Sequence, residues 1–155
     1  MDLPRDFKDL LQAFADAEVR YLVVGGYAVA FHARPRFTKD IDIWVEDSAE
    51  NLARLTDALQ RFGAPAGMAE QLRDADALDV VWMGRPPMRV DLVKSIPGVA
   101  FAEAFPRRAE ATWGGVRLAV IGRDDLIAAK RASARDQDLL DVTLLELEAG
   151  RDNGE

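Results

Sequence analysis

Asp40-Ile41-Asp42 sets two carboxylates two residues apart. On an extended strand both leave the same face, about 6 to 7 Å from one another along it. Two such groups repel, and one holds its proton unusually tightly unless a cation lies between them. A divalent ion that prefers oxygen ligands, Mg²⁺ or Mn²⁺, suits the pair, because it takes one or two carboxylates and leaves positions for water and phosphate. Upstream, Gly25-Gly26 closes the apolar run Tyr21-Leu22-Val23-Val24 and opens a helical stretch. Without side chains there, backbone N–H groups can approach a phosphate, and the start of a helix favours its charge. A third carboxylate, Asp91 in Arg89-Val90-Asp91-Leu92, comes from a later strand. It completes the metal site or acts as general base on an acceptor hydroxyl. Arg36, Thr38 and Lys39 stand just before the aspartate pair, where cations and a hydroxyl reach phosphate or base.

Each piece also has an ordinary account. A glycine pair at a strand end often makes only a tight turn. Asp40 and Asp42 alone would suit the solvated face of an edge strand, and Asp91 would suit a structural role. His32, the only histidine, reads as packing or capping, and Trp44, Trp82 and Trp113 as core or rim rather than a stacking platform. The specificity lies in the order of the pieces.

The elements that must position these residues follow from periodicity. Phe7, Leu10, Leu11, Phe14 and Ala17 line one stripe of a helix over Arg5–Glu18. Tyr21–Val24 reads as a strand buried on both faces, Tyr27–Ala33 as a helix ended by Pro35, and Asp40–Val45 as an alternating strand. Ser48 caps a helix reaching to about Phe62, with Gly63 at its end. Leu78–Met83 and Met88–Val93 read as strands around the turn Gly84–Pro87; Ala109–Trp113 and Val116–Ile121 as strands around Gly114-Gly115. Asp124 to about Glu148 is helical, with a break near Arg135. Together these predict an α/β (α+β) fold, a mixed sheet flanked by helices with a C-terminal helical segment. Its bounds are one domain over residues 1–149 and a disordered tail over 150–155.

Composition narrows the function classes. The chain has 155 residues and a net charge of −7, so it offers no broad basic face of the kind that holds nucleic acid by counterion release. No apolar run approaches the roughly 18 residues of a membrane span. The N-terminal residues lack a signal-peptide pattern and there is no cysteine, which gives the expectation of a cytoplasmic protein without a membrane partner.

Val23-Val24-Gly25-Gly26-Tyr27-Ala28, followed by Arg36-Phe37-Thr38-Lys39-Asp40-Ile41-Asp42-Ile43, resembles the signature of the nucleotidyltransferase superfamily. The chain looks most like minimal bacterial members of the type found as abortive-infection toxins. Arg89–Leu92 matches the third-carboxylate strand, and Lys130, Arg135, Asp138 and Asp141 match the C-terminal helical pattern. The resemblance implies transfer of a nucleoside monophosphate from a triphosphate such as ATP to an acceptor hydroxyl on RNA, protein or a small molecule. It places Asp40, Asp42 and Asp91 on metal, Gly25 and Gly26 on phosphate, and Lys130 near the triphosphate. Where many members carry Gly-Ser, this chain has Gly25-Gly26, so backbone alone must serve. A toxin–antitoxin setting, with tRNA or a protein as acceptor and a partner protein or homodimer, goes with it. Two alternatives compete: a catalytically weak regulatory or antitoxin module that binds a protein, and another Asp-x-Asp metal enzyme, a phosphatase or glycosyltransferase.

Overall fold

The structure is a computed structural model that describes residues 3–76, 79–85 and 88–153. Helix α1 (Arg5–Asp16) buries Phe7, Leu10, Leu11 and Phe14 along one stripe, the spacing of a helix lying on a sheet. Strand β1 (Tyr21–Val24) is buried at every residue, and α2 (Gly25–His32) starts directly at its end. In β2 (Asp40–Val45) Ile41 and Ile43 are buried while Asp40 and Asp42 are half-buried on the other face. Helix α3 (Ala49–Phe62) begins where Asn51 donates its backbone N–H to Ser48 Oγ at 3.1 Å, and ends at Gly63 with φ +88°. A short α4 (Met68–Asp74) leads to the hairpin of β3 (Val81–Arg85) and β4 (Met88–Val93). After α5 (Phe101–Ala104) and a 3₁₀ turn to Arg107 come the hairpin β5 (Ala109–Trp113) and β6 (Val116–Val120), then α6 (Arg123–Ser133) and α7 (Asp136–Asn153).

The six strands form one mixed sheet in the order β3-β4-β2-β1-β6-β5. β2 runs parallel to β4 and β1 parallel to β6, and the remaining neighbours are antiparallel. The strand that leads into the glycine pair and the strand that carries the aspartate pair are therefore adjacent and central. Helix α1 packs on α3 and β6, whereas α7 packs on α6 and α2. No helix among the described residues is long and apolar enough to cross a membrane.

Several elements depart from the sequence reading. Helix α2 starts at Gly25, two residues before the expected Tyr27, so the glycine pair forms its first turn. β3 starts at Val81, later than the expected Leu78, which lies outside the described residues. Helices α4 and α5 were not anticipated. The break expected near Arg135 in the long C-terminal helix is present, at Ala134, whose φ of +54° is left-handed. α7 continues to Asn153, past the expected boundary at residue 149.

A single buried amide ties β1 to β2 at the end remote from the site. Asn51, 1% exposed, accepts the Arg20 backbone N–H at 2.7 Å and donates to the carbonyls of Arg20 and Glu46, both at 2.9 Å. Removing it leaves backbone groups buried and unpaired, at about 1 to 3 kcal/mol each where water does not enter. Asn51→Ala is expected to lower stability by roughly 2 to 4 kcal/mol, read by urea denaturation. A loss below about 0.5 kcal/mol would mean that water replaces the amide.

Candidate active site

Strand pairing decides which carboxylates meet. Val24 at the end of β1 lies opposite Asp42, Asp42 lies opposite Asp91, and Asp91 lies opposite Trp82. Residues in one such row point to the same side of a sheet. The next row on that side sets Asp40 opposite Arg89 and Arg89 opposite Gly84. One face of the sheet thus carries Asp42 and Asp91 side by side, Asp40 and Arg89 next to them, and Trp82 at the edge.

Gly25 follows Val24, so it turns beside the Asp42 side chain. Its φ is +67°, and a Cβ there would run into the Asp42 carboxylate. A Cβ on Gly26 would come within 2.8 Å of Thr38 Cγ2. The glycines are thus required by close approach as well as by backbone conformation. They bring the N-terminal turn of α2 against the acidic row.

Burial drives the Asp42 pKa up from 3.8 to about 7, and the charge of Asp91, a hydrogen bond shared with it and the charge of Asp40 push the same way, with Lys130 opposing. A hydrogen bond between two carboxyl groups requires a proton on one of them, in the place a cation would take. By that criterion Asp42 and Asp91 fit a divalent ion. Among the described residues no three acidic or imidazole groups converge as a ready cage. Asp40 acts on the pair through its charge from the neighbouring row. Asp91 also accepts from Arg89 Nε at 2.7 Å, and the Arg89 guanidinium lies 4.9 Å over the Trp82 ring, which is 56% exposed. Arg89 and the exposure of Trp82 escaped the sequence reading; their place follows from the register of β3 on β4.

A cleft of about 410 Å³ opens beside this row, lined by Arg36, Phe37, Thr38, Lys39, Asp40, Asp42 and Gln137. Phe37 stands 83% exposed at its mouth. Lys39 and Thr38 line the cleft. Arg36 does so too, but its guanidinium is engaged with the buried Asp141, Nη1 to Oδ1 at 2.8 Å and Nη2 to Oδ2 at 3.4 Å. Lys130 is likewise committed, 3.0 Å from Asp141 Oδ2 and 3.4 Å from Asp138 Oδ1, while Arg135 Nε donates to Asp138 Oδ2 at 2.8 Å. Burial alone would raise both carboxyl pKa values; the Arg135 and Lys130 contacts on Asp138, and those of Arg36 and Lys130 on Asp141, more than offset it and hold both below 3.8.

This network joins the segment before β2 to α6 and α7. Asp138 also accepts the Arg135 backbone N–H at 3.3 Å, the reach-back half of a capping box at the start of α7. Asp138 and Asp141, which match the C-terminal helical pattern, are buried, and their ion pairs make them internal struts. His32 has the packing role expected of it: Nε2 donates to the Ile121 carbonyl at 2.6 Å, and burial holds its pKa below the usual histidine range. Trp44 and Trp113 are buried.

A family described as nucleotidyltransferases of unknown function matches residues 2–150. The chain belongs to that family, and is a nucleotidyltransferase. Solved structures share its fold. The lincosamide antibiotic adenylyltransferase LnuA, with lincomycin bound, superposes with a TM-score of 0.60 at 13% identity, over 94% of this chain and 97% of that one. TM1012 of Thermotoga maritima gives 0.59 at 14% identity over 100% and 97%, and ANT(2″)-Ia in complex with adenylyl-2″-tobramycin gives 0.58 at 15% over 95% and 89%. At such identities the likeness is one of fold. No curated protein matches the chain.

Proposed function

We propose that this protein transfers a nucleoside monophosphate from a nucleoside triphosphate, ATP first among the candidates, to a hydroxyl of a small-molecule acceptor. The observation that carries the reading is the row in which Asp42 and Asp91 lie side by side against the glycine turn that opens α2. Asp42 and Asp91, with Asp40 in support, would hold Mg²⁺ or Mn²⁺, which supplies positive charge to the triphosphate and favours attack on it. Gly25 and Gly26 present backbone N–H groups to the phosphates. Lys39 and Thr38 contact the nucleotide from the cleft wall, and Phe37 offers a ring for its base. Lys130 and Arg36 act one step back, setting the charge around Asp42 and the position of the Arg36–Lys39 segment.

Asp91 sits on the β3 side of Asp42, facing Trp82, and takes the proton of the acceptor hydroxyl. The hydroxyl oxygen forms a bond to the α-phosphorus, the bond from that phosphorus to the bridging oxygen breaks, and pyrophosphate leaves. A small acceptor is supported by the commitment of Arg36, Lys130 and Arg135 to buried partners, which leaves few cations for a polynucleotide. The lincosamide and tobramycin complexes of the fold relatives point the same way. The toxin setting, with tRNA or protein as acceptor, rests on sequence resemblance and is the competing outcome.

Calorimetry with each ribonucleoside triphosphate, with and without Mg²⁺, tests the donor half. Mg²⁺-dependent binding is expected in the wild type and lost in Asp40→Ala/Asp42→Ala. Triphosphate labelled at the α-phosphate then tests the acceptor half against aminoglycosides and lincosamides, tRNA and protein. Label on tRNA or protein overturns the small-molecule assignment alone, and binding by neither triphosphate nor metal overturns the whole reading.

A further inference from the structure

Helix α7 buries Asp138, Asp141, Val142 and Leu145 against α6 and α2, and turns its opposite side to solvent. That side is not polar. Leu140 is 65% exposed and Leu147 62%, with the partly buried Leu144 between them. Spaced four and three residues apart, these leucines make one ridge along the outer line of the helix. Asp136 continues the ridge one turn before Leu140, and Arg151 one turn after Leu147. A solvated helix face would carry polar side chains at the three central positions.

The ridge is nearly its own reverse. When a second α7 is laid antiparallel with Leu140 against Leu147, the two-fold axis falls between residues 143 and 144, which sets each Leu144 against the exposed Thr143 of the copy and one residue from the other Leu144. The same register sets Asp136 against Arg151 at both ends. Apolar side chains meet in the middle and opposite charges meet at each rim, as a two-fold interface requires. We propose that the outer ridge of α7 is a homodimer surface, with a second copy of this chain as its occupant. The self-complementary charge pattern favours a copy over an unrelated partner, since an unrelated partner would not demand opposite charges equidistant from the centre. Two crossed ridges of three leucines are a small interface, so the dimer forms in the micromolar range and exchanges readily. The inner face of the same helix carries Asp138 and Asp141, so pairing steadies the element on which Arg36 and Lys130 are anchored.

Sedimentation velocity across roughly 1 to 200 μM, near the affinity expected of an interface this small, tests this on the full chain. The wild type is expected to move from one to two copies of the 17.1 kDa chain over that range. Leu140→Glu/Leu147→Glu is expected to stay monomeric with its melting temperature unchanged. Because that variant also alters solubility, charge variants give an independent arm. Asp136→Arg and Arg151→Asp each place like charges at both rims, and each alone is expected to dimerise about tenfold more weakly. Mixed in equal amounts they present only opposite charges, so the mixture regains wild-type association. A wild type that stays monomeric at 200 μM overturns the proposal. So does a mixture no stronger than its components, which would mean that the ridge meets something other than an antiparallel α7.

Discussion

Asp42→Asn is expected to reduce nucleotidyl transfer by about a thousandfold or more and, in the same protein, to raise the melting temperature measured without metal at pH 8. The two effects share one origin. In the folded, metal-free chain the Asp42 pKa is lifted from 3.8 to about 7, first by burial, then by the charge of Asp91, its hydrogen bond and the charge of Asp40. The folded state then binds a proton that the unfolded chain has already lost. Its contribution to stability is complete below about pH 4 and is lost as the pH rises through 7. Above that pH the fold carries an ionised carboxylate pressed against Asp91. Asparagine removes this charge and keeps the shape. The gain should be negligible at pH 4, grow through pH 6 and reach roughly 3 to 8 °C at pH 8. Metal and triphosphate should reverse the ranking, since only the wild type has the charge to offer them. Mg²⁺ with nucleotide should raise the wild-type melting temperature more at pH 8 than at pH 6, and leave the variant unchanged. A variant less stable than wild type at pH 8 without metal would show that Asp42 is held by something stronger than the repulsion described here.

Gly25→Ala should be the most damaging single methyl group in the molecule. At φ +67° an L side chain costs about 1 kcal/mol by itself. The larger cost is local, because the new Cβ occupies the place of the Asp42 carboxylate. Either Asp42 swings out of its row with Asp91 or the first turn of α2 moves away from it. Both separate the carboxylates from the N–H groups proposed for the phosphates. Transfer is expected to fall by about a hundredfold or more, and the melting temperature by roughly 4 to 10 °C. Gly63→Ala is the matched control. Gly63 has φ +88° and nothing within 4 Å of an added Cβ, so that variant should lose stability alone, with its rate unchanged. Equal rates for the two alanine variants would remove Gly25 from the site.

Much of this arrangement was legible in the chain because it rests on local chemistry. β1 announces itself as an unbroken apolar run, β2 by strict alternation, α3 by its serine cap and terminal glycine. These signals depend on neighbours in sequence, and the structure returns them with the same bounds or within two residues. Helix α4 gave no such signal. It has no side-chain cap, starts from the left-handed Gly67, and is held by Met68, Ala69 and Leu72, buried where it packs on α3. β3 is an edge strand in which Trp82 is exposed between the buried Val81 and Met83, a pattern too short to fix its start.

For the candidate site the division is equally physical. The paired aspartates, the glycines, the third carboxylate and the segment Arg36–Lys39 were all visible as residue types at telling intervals. Their assembly was not, because the contacts that matter cross many residues of sequence. Parallel pairing of β2 with β4 brings Asp42 to Asp91, and antiparallel pairing of β3 with β4 brings Trp82 to the same row. The pair Arg36–Asp141 spans 105 residues. It turns Arg36, a cation expected on phosphate, into one end of a strut whose other end is the buried Asp141. The sequence by itself determined which chemical groups this protein owns and the local elements that carry them, since strand alternation and helix spacing act over a few residues. Only the tertiary structure decided which groups face one another, since strand register and burial are settled by the whole sheet and its core.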